Sequence, residues 1–155
     1  MLHVDPELDL YFERIIDITP AQVWAAWTVP EHLLHWFTPA PWKTVECEID
    51  LQPGGIFRSV MHGPEGQIHN NAGCFLEVIE NKRLVWTDAF TPGYRPSAKP
   101  FFTAIISMEA VAEGTKYMAL ARHGDAAIKQ QHEAMGFKDG WGKALDQLVA
   151  HMKQQ

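Results

Sequence analysis

From Trp42 to about His123 the chain offers strand segments alone, joined by connections too short to carry a crossover helix. WKTVECEID ends in the turn Gln52-Pro53-Gly54-Gly55. IFRSVMH ends in Gly63-Pro64-Glu65-Gly66, QIHNNAGCFLEVIE in Asn81-Lys82, and RLVWTDAF in the loop TPGYRPSAKP with its three prolines. FFTAIISMEAV turns at Ala112-Glu113-Gly114 into TKYMALARH. Short connections between consecutive strands demand hairpins, so this stretch folds as an antiparallel meander.

Helices flank the meander. Residues 8–18, LDLYFERIIDI, read as a strand; Thr19-Pro20 then supplies an N-cap and a proline at the first helical position. Val23, Trp24 and Trp27 share one face of a short helix, Val29-Pro30 breaks it, and PEHLLHWF begins a second. After Gly124, DAAIKQQHEAM is helical. Gly136 interrupts it, and Trp141, Leu145, Leu148 and Met152, with Ala144 beside them, mark one face of a closing helix over about 137–153. The class is α+β. A strongly curved antiparallel sheet of six or seven strands, polar outside and apolar inside, grips one long helix. A single helix cannot fill such a concavity, so a cavity is expected between helix and sheet.

Composition removes several function classes. A formal net charge of −6 argues against sequence-independent nucleic-acid binding and against anionic membranes. No apolar run reaches the roughly 20 residues of a membrane span. MLHVDPELDLYFER lacks the basic and apolar regions of a signal peptide, and Cys47 and Cys74 are isolated, so a cytoplasmic protein with two free thiols is expected. With 155 residues and no repeat, the expectation is one domain over 8–154.

Four of the six tryptophans fall in WAAWTVPEHLLHWFTPAPW. They could be core, a gate over a cavity, or a partner surface. Trp24 and Trp27 are read as core; Trp36 and Trp42, flanking a Pro-rich connection, as lining or gating a cavity mouth. His32 and His35, three residues apart, are read as a solvated helix face, because no third ligand is fixed by spacing and zinc generally needs three or four. His62 and His69 could face each other across Gly63–Gly66. No nucleophile elbow, P-loop or dinucleotide fingerprint is present, and no cofactor or metal is expected.

Alternation suggests which residues line the concave face. With Glu13 and Asp17 outward, Leu10, Phe12, Arg14 and Ile16 point inward. Likewise Phe102, Ala104, Ile106 and Met108 point inward, as do Tyr117, Ala119, Ala121 and His123. Placing Trp86 inward carries Asp88 and Phe90 with it. The candidate cavity residues are Arg14, Trp36, Trp42, His69, Trp86, Asp88, Phe90, Phe102, Tyr117, His123, Trp141 and Leu145. Apolar area with a few polar groups suits a small hydrophobic or amphipathic ligand. Arg14, Asp88 and His123 also fit a satisfied buried polar cluster without a ligand. The single general acid–base pair available is Asp88 with His123 or Tyr117. The loop Thr91–Pro100, carrying Tyr94 and Arg95, is the expected lid.

ERIIDITPAQVWAAWTVPEHLLHWF, DLQPGGIFRSVMHGPEG, GCFLEVIENKRLVWTD, EGTKYMALARHG and GFKDGWGKALDQL, in this order, resemble the activator of heat-shock protein 90 ATPase homologue-like family. That family belongs to the START and birch-pollen-allergen-like helix-grip (SRPBCC) superfamily, filed also with polyketide cyclases and dehydrases. The resemblance implies a helix-grip fold over nearly the whole chain. It implies three functional classes: a non-catalytic binding module for a hydrophobic or amphipathic molecule, a chaperone partner whose ATPase is activated, or a cyclase- or dehydratase-like enzyme. The eukaryotic activators resembled carry a further N-terminal domain that this chain has no room for.

Overall fold

The computed structural model describes residues 3–155; Met1 and Leu2, the start of the segment read as lacking a signal peptide, lie outside the described residues. In chain order the elements begin with β1 (Asp9–Ile16), α1 (Pro20–Thr28) and α2 (Pro30–Leu33). The meander follows as β2 (Lys43–Ile49), β3 (Ile56–His62), β4 (Ile68–Ile79), β5 (Arg83–Thr87), β6 (Phe90–Thr91), β7 (Arg95–Pro96), β8 (Thr103–Val111) and β9 (Gly114–Arg122). Helices α3 (Ala126–Ala134) and α4 (Phe137–Met152) close the chain.

Seven strands form one sheet in the order β1-β9-β8-β5-β4-β3-β2, every neighbouring pair antiparallel. β1 and β2 are consecutive strands, yet they occupy opposite edges. The α1–α2 segment must therefore cross the full width of the sheet, and it does so over one end of the concave face. Its start is fixed by a capping box: Thr19 Oγ1 accepts from the Gln22 amide at 3.2 Å while Gln22 Oε1 accepts from the Thr19 amide at 2.8 Å. Trp27 and Trp36 are buried there with their rings edge to face at 4.9 Å. The second short helix ends sooner than its apolar pattern suggests, at Leu33, and continues as turns to Phe37.

The inward faces of β1, β8 and β9 are those the alternation predicts. Ile16, Ile106, Met108, Tyr117 and Ala119 join the main core with Leu145, Leu148 and Met152 of α4. The outer face is less polar than expected. Val85, Ile105 and Leu120 are buried there in a cluster of their own, covered by Tyr11 and Leu76. Leu76 follows the inward Phe75 onto that face, and it is the extra residue where β4 bulges between Phe75 and Glu77 and the register against β5 shifts.

The bend of β4 also rests on a glycine. A Cβ at Gly73 would collide with the Thr87 carbonyl oxygen of β5. In α4, Gly142 passes against the Arg14 guanidinium, whereas Gly140 has only Pro39 near it. The close approach of this helix to β1 therefore belongs to Gly142.

The proline-rich loop is a small hairpin, β6–β7, rather than an irregular lid. Its Gly93 amide donates to the Gly54 carbonyl at 2.9 Å, and Tyr94 lies over Gly54, which fastens the hairpin to the β2–β3 turn.

Candidate functional site

Helix α4 lies against α1 and β1, so it covers one side of the concave face and leaves the β3–β5 side open. The gap is a cavity of about 470 Å³. Its sheet wall is Phe57, Ser59 and Met61 of β3, His69, Asn71 and Gly73 of β4, and Trp86 and Thr87 of β5. Phe101, Phe102 and Tyr117 form the end towards β8 and β9. The helical wall is Trp27, Trp36 and Phe37, then His132, Phe137, Trp141, Ala144 and Leu145.

Aromatic rings interlock around this space. Trp86 is edge to face with Phe57 at 4.9 Å and with Phe102 at 5.3 Å, and Phe102 meets Trp141 at 5.9 Å. The indole N–H groups are disposed unequally. Trp27 Nε1 donates to the Tyr117 hydroxyl at 3.2 Å and Trp36 Nε1 to the Ala26 carbonyl at 2.9 Å. Trp86 Nε1 is buried with no acceptor among the described residues. The mouth is held by Gln147 of α4. Its Nε2 donates to the Trp36 and Thr38 carbonyls, each at 3.0 Å, and its Oε1 accepts from the Ala40 amide at 2.9 Å.

Of the twelve residues expected at the site, Trp36, His69, Trp86, Asp88, Phe102, Tyr117, Trp141 and Leu145 line the cavity. The other four stand outside its lining. Arg14 points to the helix side of the sheet but pairs with Asp146 at 2.5 Å near solvent. Trp42 lies behind His69, its ring 5.2 Å away. Phe90 belongs to the outlying hairpin and pairs with Pro96. His123 is one layer back, behind His132. The lid expectation fails as well, since residues 91–100 contribute nothing to the lining. Met135 and Gly136, at the α3–α4 corner, border the cavity instead.

The polar candidates do not assemble into an acid–base pair. Asp88 Oδ1 accepts from the Phe101 amide at 2.7 Å and from the Phe102 amide at 3.1 Å, holding the turn into β8. Burial pushes the Tyr117 phenol well above its ordinary range, only partly opposed by the Trp27 hydrogen bond and Arg14. His123 is engaged on both ring nitrogens, by the Leu8 carbonyl at 2.7 Å and by His132 Nδ1 at 2.8 Å.

His132 is the residue that strand alternation could not find. It lies on α3, and the available signal was its helical spacing from Ile128. Burial, with His123 beside it, pulls its pKa from 6.5 down to about 4.

Two histidine expectations change. His69 opposes Met61, not His62, because the turn places His62 opposite Ile68. His32 and His35 are not simply solvated: His151 of α4 sits 3.0 Å from His32 Nδ1 and stacks on His35 at 4.5 Å. The His35 and His151 rings are 12° from parallel, so their in-plane lone pairs do not converge on one point. Among the described residues no group of three or more His, Cys, Asp or Glu is arranged to hold a metal ion. No helix among them is long and apolar enough to cross a membrane.

A curved seven-stranded antiparallel sheet, bridged at one end by short helices and gripped by a long C-terminal helix, defines an α+β domain of the helix-grip, SRPBCC type. The chain belongs to the family described as Activator of Hsp90 ATPase homolog 1-like protein, whose model matches residues 17–153. A crystal structure of a Nitrosomonas europaea protein is 44% identical, with 97% of each chain covered and a TM-score of 0.95. A Rhodobacter sphaeroides protein is similar at 21% identity, covering 99% of this chain and 98% of that one, with a TM-score of 0.84. An AHSA1 protein from Silicibacter pomeroyi is similar at 23% identity, covering 94% and 98%, with a TM-score of 0.70. The last two bear on the fold alone. Comparison with curated proteins found no match.

Proposed function

We propose that this domain is a binding module for a small hydrophobic or amphipathic molecule held between the sheet and α4. The observation that carries this reading is the aromatic-walled cavity of about 470 Å³, a volume in the range of small-molecule sites. Apolar rings supply affinity, and the few polar groups among them set orientation. Binding rather than catalysis is favoured because Asp88, Tyr117 and His123 are each engaged with separate partners. A reducing compartment such as the cytoplasm suits the two unpaired thiols.

Native mass spectrometry of freshly purified protein, followed by a thermal-shift panel of lipids, sterols and polyaromatics, tests the reading. A co-purified small molecule, or a rise in Tm with quenching of tryptophan fluorescence, supports it. Trp86→Ala should weaken that binding more than Lys116→Ala on the outer face. No shift across the panel at roughly 100 μM, some 5 kcal/mol in affinity terms, would leave the chaperone-partner role suggested by the family description as the stronger reading.

A further inference from the structure

We infer that the cavity selects a neutral aromatic molecule carrying a hydroxyl group, which donates its proton in a hydrogen bond to Nε2 of His132. This deepens the binding-module reading and rests on it.

The chemistry starts at the far end of the dyad. A backbone carbonyl can only accept, so the 2.7 Å contact with Leu8 puts the proton of His123 on Nδ1. In a neutral His123, Nε2 is then a bare acceptor. It lies 2.8 Å from His132 Nδ1, which must donate. A neutral His132 with its proton on Nδ1 has an unprotonated Nε2. That atom has no protein partner among the described residues, and its ring forms part of the cavity wall. The backbone of Leu8 thus sets, through two imidazoles, the acceptor character of one cavity atom. Burial supports the neutral form.

The surroundings narrow the ligand. Phe101, Phe102 and Phe137 surround the His132 ring at 4.9, 4.8 and 5.3 Å, which suits a flat π surface. Among the described residues no Lys or Arg lines the cavity, and Asp88 does, so a carboxylate, phosphate or sulfate would enter without a counter-charge. A phenolic hydroxyl meets the need: it is a stronger donor than an aliphatic alcohol and remains uncharged near neutrality.

Three matched probes test this: 2-naphthol, 2-methoxynaphthalene and 2-naphthoate. They share one ring system, and of these only naphthol offers a neutral hydroxyl donor at neutral pH. The wild-type protein should bind naphthol about three- to tenfold more tightly than the methyl ether, the scale of one hydrogen bond. His132→Phe should bring the two within about twofold while still binding the ether. Because that variant could fail to fold, imidazole nitrogen NMR of the wild type provides a second measurement. Nε2 of His132 should be unprotonated in the free protein and should shift with naphthol but not with the ether. Equal affinity for naphthol and ether, preference for naphthoate, or a protonated Nε2 in the free protein overturns the inference while leaving the binding module standing. Failure of both neutral probes to bind the wild type also overturns the inference, and the binding module falls with it only if the lipid, sterol and polyaromatic panel gives no shift either.

Discussion

Trp27 and Tyr117, far apart in sequence, meet in the core through a 3.2 Å hydrogen bond from the indole N–H to the phenol oxygen. The bond ties the helix that crosses the sheet to β9, and both residues line the cavity. Tyr117→Phe keeps the ring and removes the acceptor, leaving the buried Trp27 N–H without a partner. The expected loss is about 1–3 kcal/mol in urea denaturation. A loss below about 0.5 kcal/mol would show that Trp27 finds another acceptor.

Leu148 is fully buried on the gripped face of α4. Truncation to alanine there should cost about 2–5 kcal/mol, because the sheet can close only part of the resulting hole. An unchanged midpoint would mean that this helix face contributes little to the core.

Acid should weaken the fold through His132. Its pKa is about 4 in the folded protein against an ordinary 6.5, so between these values the unfolded chain takes up a proton that the native ring refuses. Stability from this group is complete above pH 6.5 and falls as the pH drops towards 4. By pH 5 the loss should reach about 1–2 kcal/mol, less than a fully dry ring would give because one edge faces the cavity. His151 is displaced in the same direction, by burial and by its His35 and His32 neighbours. Denaturation midpoints at pH 7 and pH 5 measure the sum, and His132→Phe should show the shallower dependence. An equal slope in the variant would remove His132 from the account.

Both thiols should be unreactive until the protein opens. Cys74 is fully buried, and Cys47 directs its sulfur at the Pro30 carbonyl, 3.6 Å away. Burial pushes both pKa values up, with Glu31 adding to the effect at Cys47. Thiol titration should find two groups in denaturant without reductant, and slow labelling in the native state. Finding none in denaturant would contradict the reducing compartment.

What the sequence revealed depended on how local its cause was. Alternation along β1, β8 and β9 is a property of neighbouring residues, so the inward set from Leu10 to Ile16 and from Phe102 to Met108 could be read directly. Which end of an inward face borders the cavity is decided by where α4 lies. Arg14 therefore has the expected face and the wrong position, beside Asp146 rather than in the cavity. Pairing depends on turn geometry, which spacing alone leaves open: His69 could face His62 by position, yet it opposes Met61. The bulge at Leu76 and the outer cluster around Leu120 were equally hidden, since neither has a signature in a single strand. His132 reaches the cavity only through the turn at Gly136, whose φ of 86° redirects the chain between α3 and α4.

The pairing of β1 with β9 has a consequence for how the chain is made. Among the described residues β1, the strand of this sheet that is synthesised first, pairs only with β9, the one synthesised last, with Ile16 opposite Thr115 and Asp9 opposite Arg122. Until then β1 and the tryptophan-bearing segment after it have no finished surface to rest on, while the hairpins from β2 to β5 can form in sequence. Closing so long a loop late makes refolding slow for a protein of this size, on the order of milliseconds to seconds. It also leaves β1 and the segment after it open to association until β9 has been made.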